Sequence, residues 1–185
     1  RIASAIDRAW LTGPGLEIRT ILEFDHAAGR VQARQRTTWG ALVLTDAPAP
    51  LPESPEVASV LAAAARQAWD RVYPPDDPAI ARWIARVESL RGWFPELELP
   101  DFSETALRAR LERLSRGCRS LAELRQASWI DVLREELSPS QLATLEREAP
   151  ERIQVPSGSR IAIEYTAGGP PVLPVRIQEV YGWET

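Results

Sequence analysis

The chain has 185 residues, with 22 basic and 26 acidic side chains, a net charge of −4 and 44% hydrophobic residues. That is length and apolar content enough to bury a core, as one large domain or two small ones, and it lacks the basic excess of a free-standing nucleic-acid binder. Cys118 is the only cysteine, which excludes an internal disulfide and fits a reducing, cytoplasmic compartment, and no apolar run reaches the roughly 18–20 residues that span a bilayer, so no membrane is expected as a partner.

Three zones follow one another: strands over residues 1–50, short helices over 51–150, and strands again over 151–185. In "LEIRTILEF" the two-residue strand period puts Leu16, Ile18, Thr20, Leu22 and Phe24 on one face. "DHAAG" is a turn in which Gly29 supplies a positive φ. "RVQARQRTTWGALVL" alternates again, with Val31, Ala33, Gln35, Thr37 and Trp39 on one face and Arg30, Gln32, Arg34 and Arg36 on the other. A four-residue loop sets Phe24 beside Val31 and Asp25 beside Arg30, so both faces match and the segment reads as a hairpin. Pro48, Pro50, Pro52 and Pro55 mark a stiff connector.

The middle zone is punctuated by helix starts. Ser54-Pro55-Glu56 is a cap followed by Pro at the first helical position, and Asp77-Pro78 repeats the device ahead of an apolar stripe of Ile80, Trp83, Ile84, Val87 and Leu90. Ser103 opens a third helix carrying Leu107, Leu111 and Leu114, stopped by Gly117. Ser120 with Glu123 is a capping box for a fourth, Ser128 opens a fifth, and Ser138-Pro139-Ser140-Gln141 caps a sixth that ends before Pro150. The last zone reads "RIQV", a turn at "PSGS", "RIAIEY", a Gly-Gly-Pro-Pro turn and "VLPVRIQEVYG", whose end is either a strand end or a first helical turn.

Little in this pattern carries chemistry. His26 is the single histidine and sits in the hairpin turn, where exposure is the ordinary outcome. Cys118 has Arg116 and Arg119 nearby, which favour a thiolate, but no local histidine partner. One His and one Cys cannot build a typical zinc site, and no carboxylate pair stands out as an acid/base couple. The chain has no Lys, so Ser157-Gly158-Ser159 is not part of a P-loop and makes a tight turn. No catalytic, cofactor-binding or metal-ligating residue is therefore assigned.

Every basic residue is Arg, either for phosphate recognition or through the codon bias that also fills the chain with Ala and Pro. The face bearing Arg30, Arg34 and Arg36 spans about 20 Å at strand rise, enough to track a few phosphates. The opposing expectation is that Glu17, Glu23 and Asp25 across the hairpin pair with these guanidiniums. Arg160, at the mouth of the strand after the Ser-Gly-Ser turn, faces the same choice between a phosphate and an acidic neighbour. Trp39 and Trp83 lie on apolar faces and are expected in the core rather than as base-stacking platforms.

The string "APERIQVPSGSRIAIEYTAGGPPVLPVRIQEVYGWET" resembles the C-terminal region of the HrpB-type bacterial DEAH-box ATP-dependent helicases, with their Val-Pro-Ser-Gly-Ser-Arg turn, Ile-x-Ile-x-Tyr strand and Pro-Pro-Val-Leu-x-Val-Arg tail. "RIASAIDRAWL" resembles the strand leaving that family's OB-like domain, and "RVQARQRTTWGALVL" its next hairpin. The resemblance implies a parent enzyme that hydrolyses ATP with Mg in two RecA-like domains and moves along RNA. None of those ATPase motifs lies here, so the chain is expected to be inactive alone and to hold no cofactor. With no Met and an Arg start, it reads as a piece of something longer, and the family continues past Thr185. The expected fold is α+β: a β hairpin and a C-terminal β unit sharing a small sheet or barrel, with a multi-helix insertion between them. The expected role is to bind or guide single-stranded RNA for the helicase core through Arg30, Arg34 and Arg36, with Arg160 and Arg176 as second choices. The rival is a protein-docking or bracing module, whose partner is the core or another protein.

Overall fold

The computed structural model describes residues 15–166 and 168–176. The resemblance of residues 1–11 to a strand and the helix-or-strand choice over residues 177–182 lie outside them. The fold is α+β, as the residue pattern predicts. The described residues fall into two compact units, each assembled from separate stretches of chain: the first from residues up to Val72 together with Leu111–Ala127, the second from Tyr73–Arg110 and from Ser128 onward.

The first unit is built on an antiparallel sheet of β1 (Leu16–Asp25), β2 (Arg30–Trp39) and β3 (Leu42–Ala49), in that order. Phe24 opposes Val31 and Asp25 opposes Arg30, the register expected from the four-residue loop. Gly29 turns the chain at φ +66°, a backbone region that costs other residues roughly 1–2 kcal/mol. An Asp25 carboxylate oxygen accepts from the backbone N–H groups of Ala27 and Ala28 and locks the turn. The third strand was hidden by its proline. Pro48, read as part of a connector, lies opposite Arg34 on the edge strand, the place in a sheet where a residue without an N–H is tolerated, and the register shifts between Thr37 and Thr38.

Four helices complete this unit: α1 (Pro55–Gln67), α2 (Trp69–Val72), α5 (Leu111–Leu114) and α6 (Leu121–Gln126). Leu61, Ala62, Ala65, Val72, Leu111 and Leu124 are fully buried, and Val31 and Ala33 bring one face of β2 into the same core. That cover stops partway along the sheet. Trp39, expected in the core, stands 39% exposed with Leu16, Ile18, Leu42 and Val43 at the sheet's far end, beyond the buried half of β2.

The second unit gathers α3 (Pro78–Trp93), α4 (Glu104–Ala109), α7 (Trp129–Arg134) and α8 (Pro139–Glu148) with a two-stranded sheet of β4 (Arg152–Gln154) and β5 (Arg160–Ala162). Most of the expected apolar stripe is real: Ile80, Trp83, Val87 and Leu90 are buried on α3, while Ile84 is half-buried. Asp77 caps that helix through the N–H groups of Ala79 and Ile80, and Ser138 with Gln141 forms a complete capping box on α8. Three expected caps differ: Ser54 makes no side-chain cap bond, the Ser128 hydroxyl bonds the Asp131 carboxylate instead of a backbone N–H, and the Ser120 box is half formed, since Ser120 accepts from the Glu123 N–H while the Glu123 carboxylate takes the N–H of Arg119. The helix expected to run from Ser103 to Gly117 breaks at Arg110, because Leu107 is buried in this unit while Leu111 and Leu114 belong to the first. At the centre lies Arg86, 1% exposed. Its guanidinium donates to the Ala149 carbonyl at 2.8 Å, to Glu151 at 2.9 Å and to Glu146 at 3.0 Å.

The hairpin and the C-terminal β unit do not share a sheet or close a barrel among the described residues. β3 takes the free edge of β2, and β4 and β5 satisfy each other. Between β4 and β5, Gly158 turns at φ +87°, Val155 donates to the Ser159 carbonyl at 3.0 Å and Gly158 to that of Val155 at 2.8 Å. The Ser-Gly-Ser segment is a hairpin turn.

Candidate nucleic-acid interface

The arginine face of β2 is divided by a residue of β3. Asp46 lies directly across from Arg36, and each of its oxygens takes one guanidinium: Arg34 Nε at 2.7 Å and Arg36 Nη2 at 2.9 Å. Arg34 also donates to the Asp46 carbonyl at 3.1 Å, and Glu23 stands 3.7 Å from Arg36. The hydrogen bond from Arg34, and then that from Arg36, hold the Asp46 carboxyl below the usual carboxylate range. Of the acidic partners expected from the hairpin alone, Glu23 contributes this longer contact and Glu17 pairs with Arg19 on its own strand at 2.7 Å. Asp25 sits beside Arg30 in register but spends its carboxylate on the turn.

Arg30 is therefore different from its neighbours on the strand. Its side chain is exposed and no described carboxylate lies within ion-pair distance. Its backbone is held firmly: Val31 donates to the Arg119 carbonyl at 2.8 Å and Leu121 to that of Gly29 at 3.0 Å, pinning the hairpin turn to the start of α6. The pinned segments enclose an open groove of about 650 Å³ whose walls include Arg30, Arg71, Arg119 and Glu123. Neither Arg71 nor Arg119 was legible as a partner of Arg30, because they reach the groove from distant parts of the chain.

Arg160 and Arg176 lie in the second unit, apart from this face in the chain's organisation. Arg160 is exposed at the first position of β5, and its carbonyl accepts from Arg152 Nη1 at 3.4 Å. Arg176 is exposed as well. Trp83 is buried, with the Arg134 guanidinium 5.1 Å from its ring centre, which leaves it no free face role in stacking bases.

The other candidate chemistry is sparse. His26 is exposed and meets Phe24 edge-on at 5.1 Å. Cys118 lines a depression of about 500 Å³ in which Glu53 is the one carboxylate among the described residues. Its thiol is pushed up in pKa by burial first and by the Glu123 charge second, against the lowering that its flanking arginines suggest. Among the described residues no cluster of His, Cys, Asp or Glu could hold a metal ion, and no helix is long and apolar enough to cross a membrane.

Residues 110–185 match the family described as ATP-dependent helicase C-terminal, HrpB_C. The chain is 30% identical over 175 residues to the ATP-dependent RNA helicase HrpB of Escherichia coli K12, covering 89% of this chain and 21% of that protein. Two crystal structures from E. coli are similar at 27% identity: the DExH-box NTPase HrpB, with a TM-score of 0.67 over 91% of this chain and 21% of its own, and the DEAH/RHA helicase HrpB, with 0.66 over 98% and 23%. The chain thus spans about a fifth of the length of these relatives. With that family match over residues 110–185 and 30% identity across 89% of its length, the chain belongs to the HrpB-type helicases, as their C-terminal region.

Proposed function

We propose that this region is a non-catalytic accessory part of an ATP-dependent RNA helicase, contacting single-stranded RNA through the arginine face of β2 and guiding it for the core domains of the same polypeptide in the cytoplasm. The observation that carries the reading is Arg30, an exposed guanidinium at a firmly hydrogen-bonded turn with no carboxylate within ion-pair distance among the described residues. A guanidinium of this kind displaces the counterions condensed on a nucleic-acid phosphate. Arg34 and Arg36 extend the path, half-committed to Asp46, and Arg160 and Arg176 are secondary contacts. The chain's own residues do not fit a nucleotide and Mg site, having no Lys and no Gly-rich phosphate loop. ATP and Mg belong to the core, which supplies the hydrolysis.

Filter binding of a single-stranded RNA oligonucleotide, titrated across salt concentrations, tests this. The Arg30/Arg34/Arg36→Glu variant is expected to lose binding, and the native chain to show a log–log salt slope of roughly −0.7 per phosphate contacted. Equal binding by the two proteins removes the reading. Asp46→Asn gives a sharper result: freeing Arg34 and Arg36 should raise oligonucleotide affinity roughly threefold to tenfold, since each recovered charge adds a contact.

The Asp46 pairing favours a second reading, that the sheet braces the core without touching RNA. Under it, Asp46→Asn leaves oligonucleotide binding unchanged, while deleting the region from the full polypeptide still lowers its ATPase and unwinding rates.

A further inference from the structure

We infer that the groove between the hairpin turn, the end of β3 and the start of α6 is a binding site for the phosphodiester backbone of a nucleic-acid strand, formed by Arg30, Arg71 and Arg119 together. This rests on the nucleic-acid reading above and moves its centre from the strand face to the groove.

Four observations carry it. The three guanidiniums come from three distant segments: the start of β2, α2, and the loop before α6. Arg71 approaches the turn so closely that its Nη2 would lie 3.4 Å from a Cβ placed on Gly29. Next, the charges stay largely uncompensated. Arg30 and Arg71 have no ion-pair partner among the described residues, and Arg119 has only Glu53, at 3.8 Å with both side chains mostly in solvent. Glu123, the carboxylate in the wall, accepts the Arg119 backbone N–H at 2.7 Å, so its charge is held at the start of α6. The groove therefore carries a net positive charge on a chain whose total is −4.

The third observation is rigidity. The two backbone hydrogen bonds that join Val31 to Arg119 and Leu121 to Gly29 tie opposite walls together, so the arginines are presented on a preset frame. Finally there is size and shape. About 650 Å³ lies in the range of ligand-binding clefts, and the groove is open, as a passing strand needs. Guanidinium forks are the side chains best suited to phosphate oxygens. Arg34 and Arg36, by contrast, share one carboxylate a few residues along the same strand.

The test is fluorescence-anisotropy binding of a labelled single-stranded oligonucleotide to the 185-residue chain, with two double variants and a competitor. Arg71→Gln/Arg119→Gln alters the groove alone, and Arg34→Gln/Arg36→Gln alters the face alone. All four side chains lie at least partly in solvent, and unchanged circular dichroism confirms the fold. The groove variant is expected to weaken binding about tenfold or more per lost contact and to flatten the salt slope by roughly 1.4, with the face variant changing far less. Arg71→Lys, which keeps the charge without the fork, should restore part of the loss. Loss in the face variant with none in the groove variant overturns the groove while leaving the RNA reading intact. No binding by the native chain overturns both. Inorganic pyrophosphate that displaces the oligonucleotide at equal phosphate concentration marks a small-anion pocket and overturns the assignment to a strand.

Discussion

Arg86→Ala is expected to cost about 3 kcal/mol of stability, a large share of the margin of a small domain. The side chain is 1% exposed, and its guanidinium is the shared donor for the Ala149 carbonyl, Glu151 and Glu146. Truncation removes the packing of the buried stem and leaves the Ala149 carbonyl without its partner. The two glutamates recover water easily, being 58% and 61% exposed, so the loss sits at the arginine end. Glu146→Gln or Glu151→Gln alone should each cost under about 1 kcal/mol. Removing both carboxylates should cost more than their sum, because the buried charge then keeps a single carbonyl. Urea denaturation of the four variants reads this directly. An Arg86→Ala midpoint within error of native would mean the guanidinium contributes nothing at the join of α3, α8 and β4.

Glu136→Ala is expected to cost about 2 kcal/mol for the same reason seen from the other side. Arg110 and Glu136 meet at 2.6 and 2.7 Å with both side chains mostly buried, and the guanidinium lies over the Phe102 ring at 5.1 Å. Losing the carboxylate strands a desolvated cation, which is the costly way to break a buried pair. Replacing both at once, Arg110→Leu with Glu136→Leu, should recover much of the loss, since apolar side chains need no counter-ion. A double variant no more stable than Glu136→Ala would show that the pair's geometry, rather than the orphaned charge, is what matters. Thermal unfolding of the native chain and these two variants separates these outcomes.

What could be read from the residues divides along physical lines. The β1–β2 hairpin and its register were legible because both faces alternate and the loop length sets the pairing. The α3 stripe and the Ser138 capping box were legible because periodicity and caps are local. The third strand was not: Pro48 within it and a shift of register at Thr37/Thr38 break the alternation that marks a strand. With β3 went Asp46, and so the true partner of Arg34 and Arg36 could not be named. The break at Arg110 was equally invisible, since Leu107, Leu111 and Leu114 keep helical spacing across it and only tertiary burial decides which core each joins. For the candidate site, Arg30 was found from strand alternation, whereas Arg71 and Arg119 join it through long-range contacts that no spacing rule encodes.

The interleaving of the two units has a consequence for synthesis. Leu121 and Leu124, needed to seal the first core, are translated only after the whole Tyr73–Arg110 stretch of the second. A nascent chain ending near Val72 thus exposes the apolar faces of β2 and α1 until roughly fifty more residues emerge, an interval of seconds at ordinary elongation rates. Chaperone capture during translation, and failure of fragments cut between Val72 and Tyr73, follow from that order of assembly.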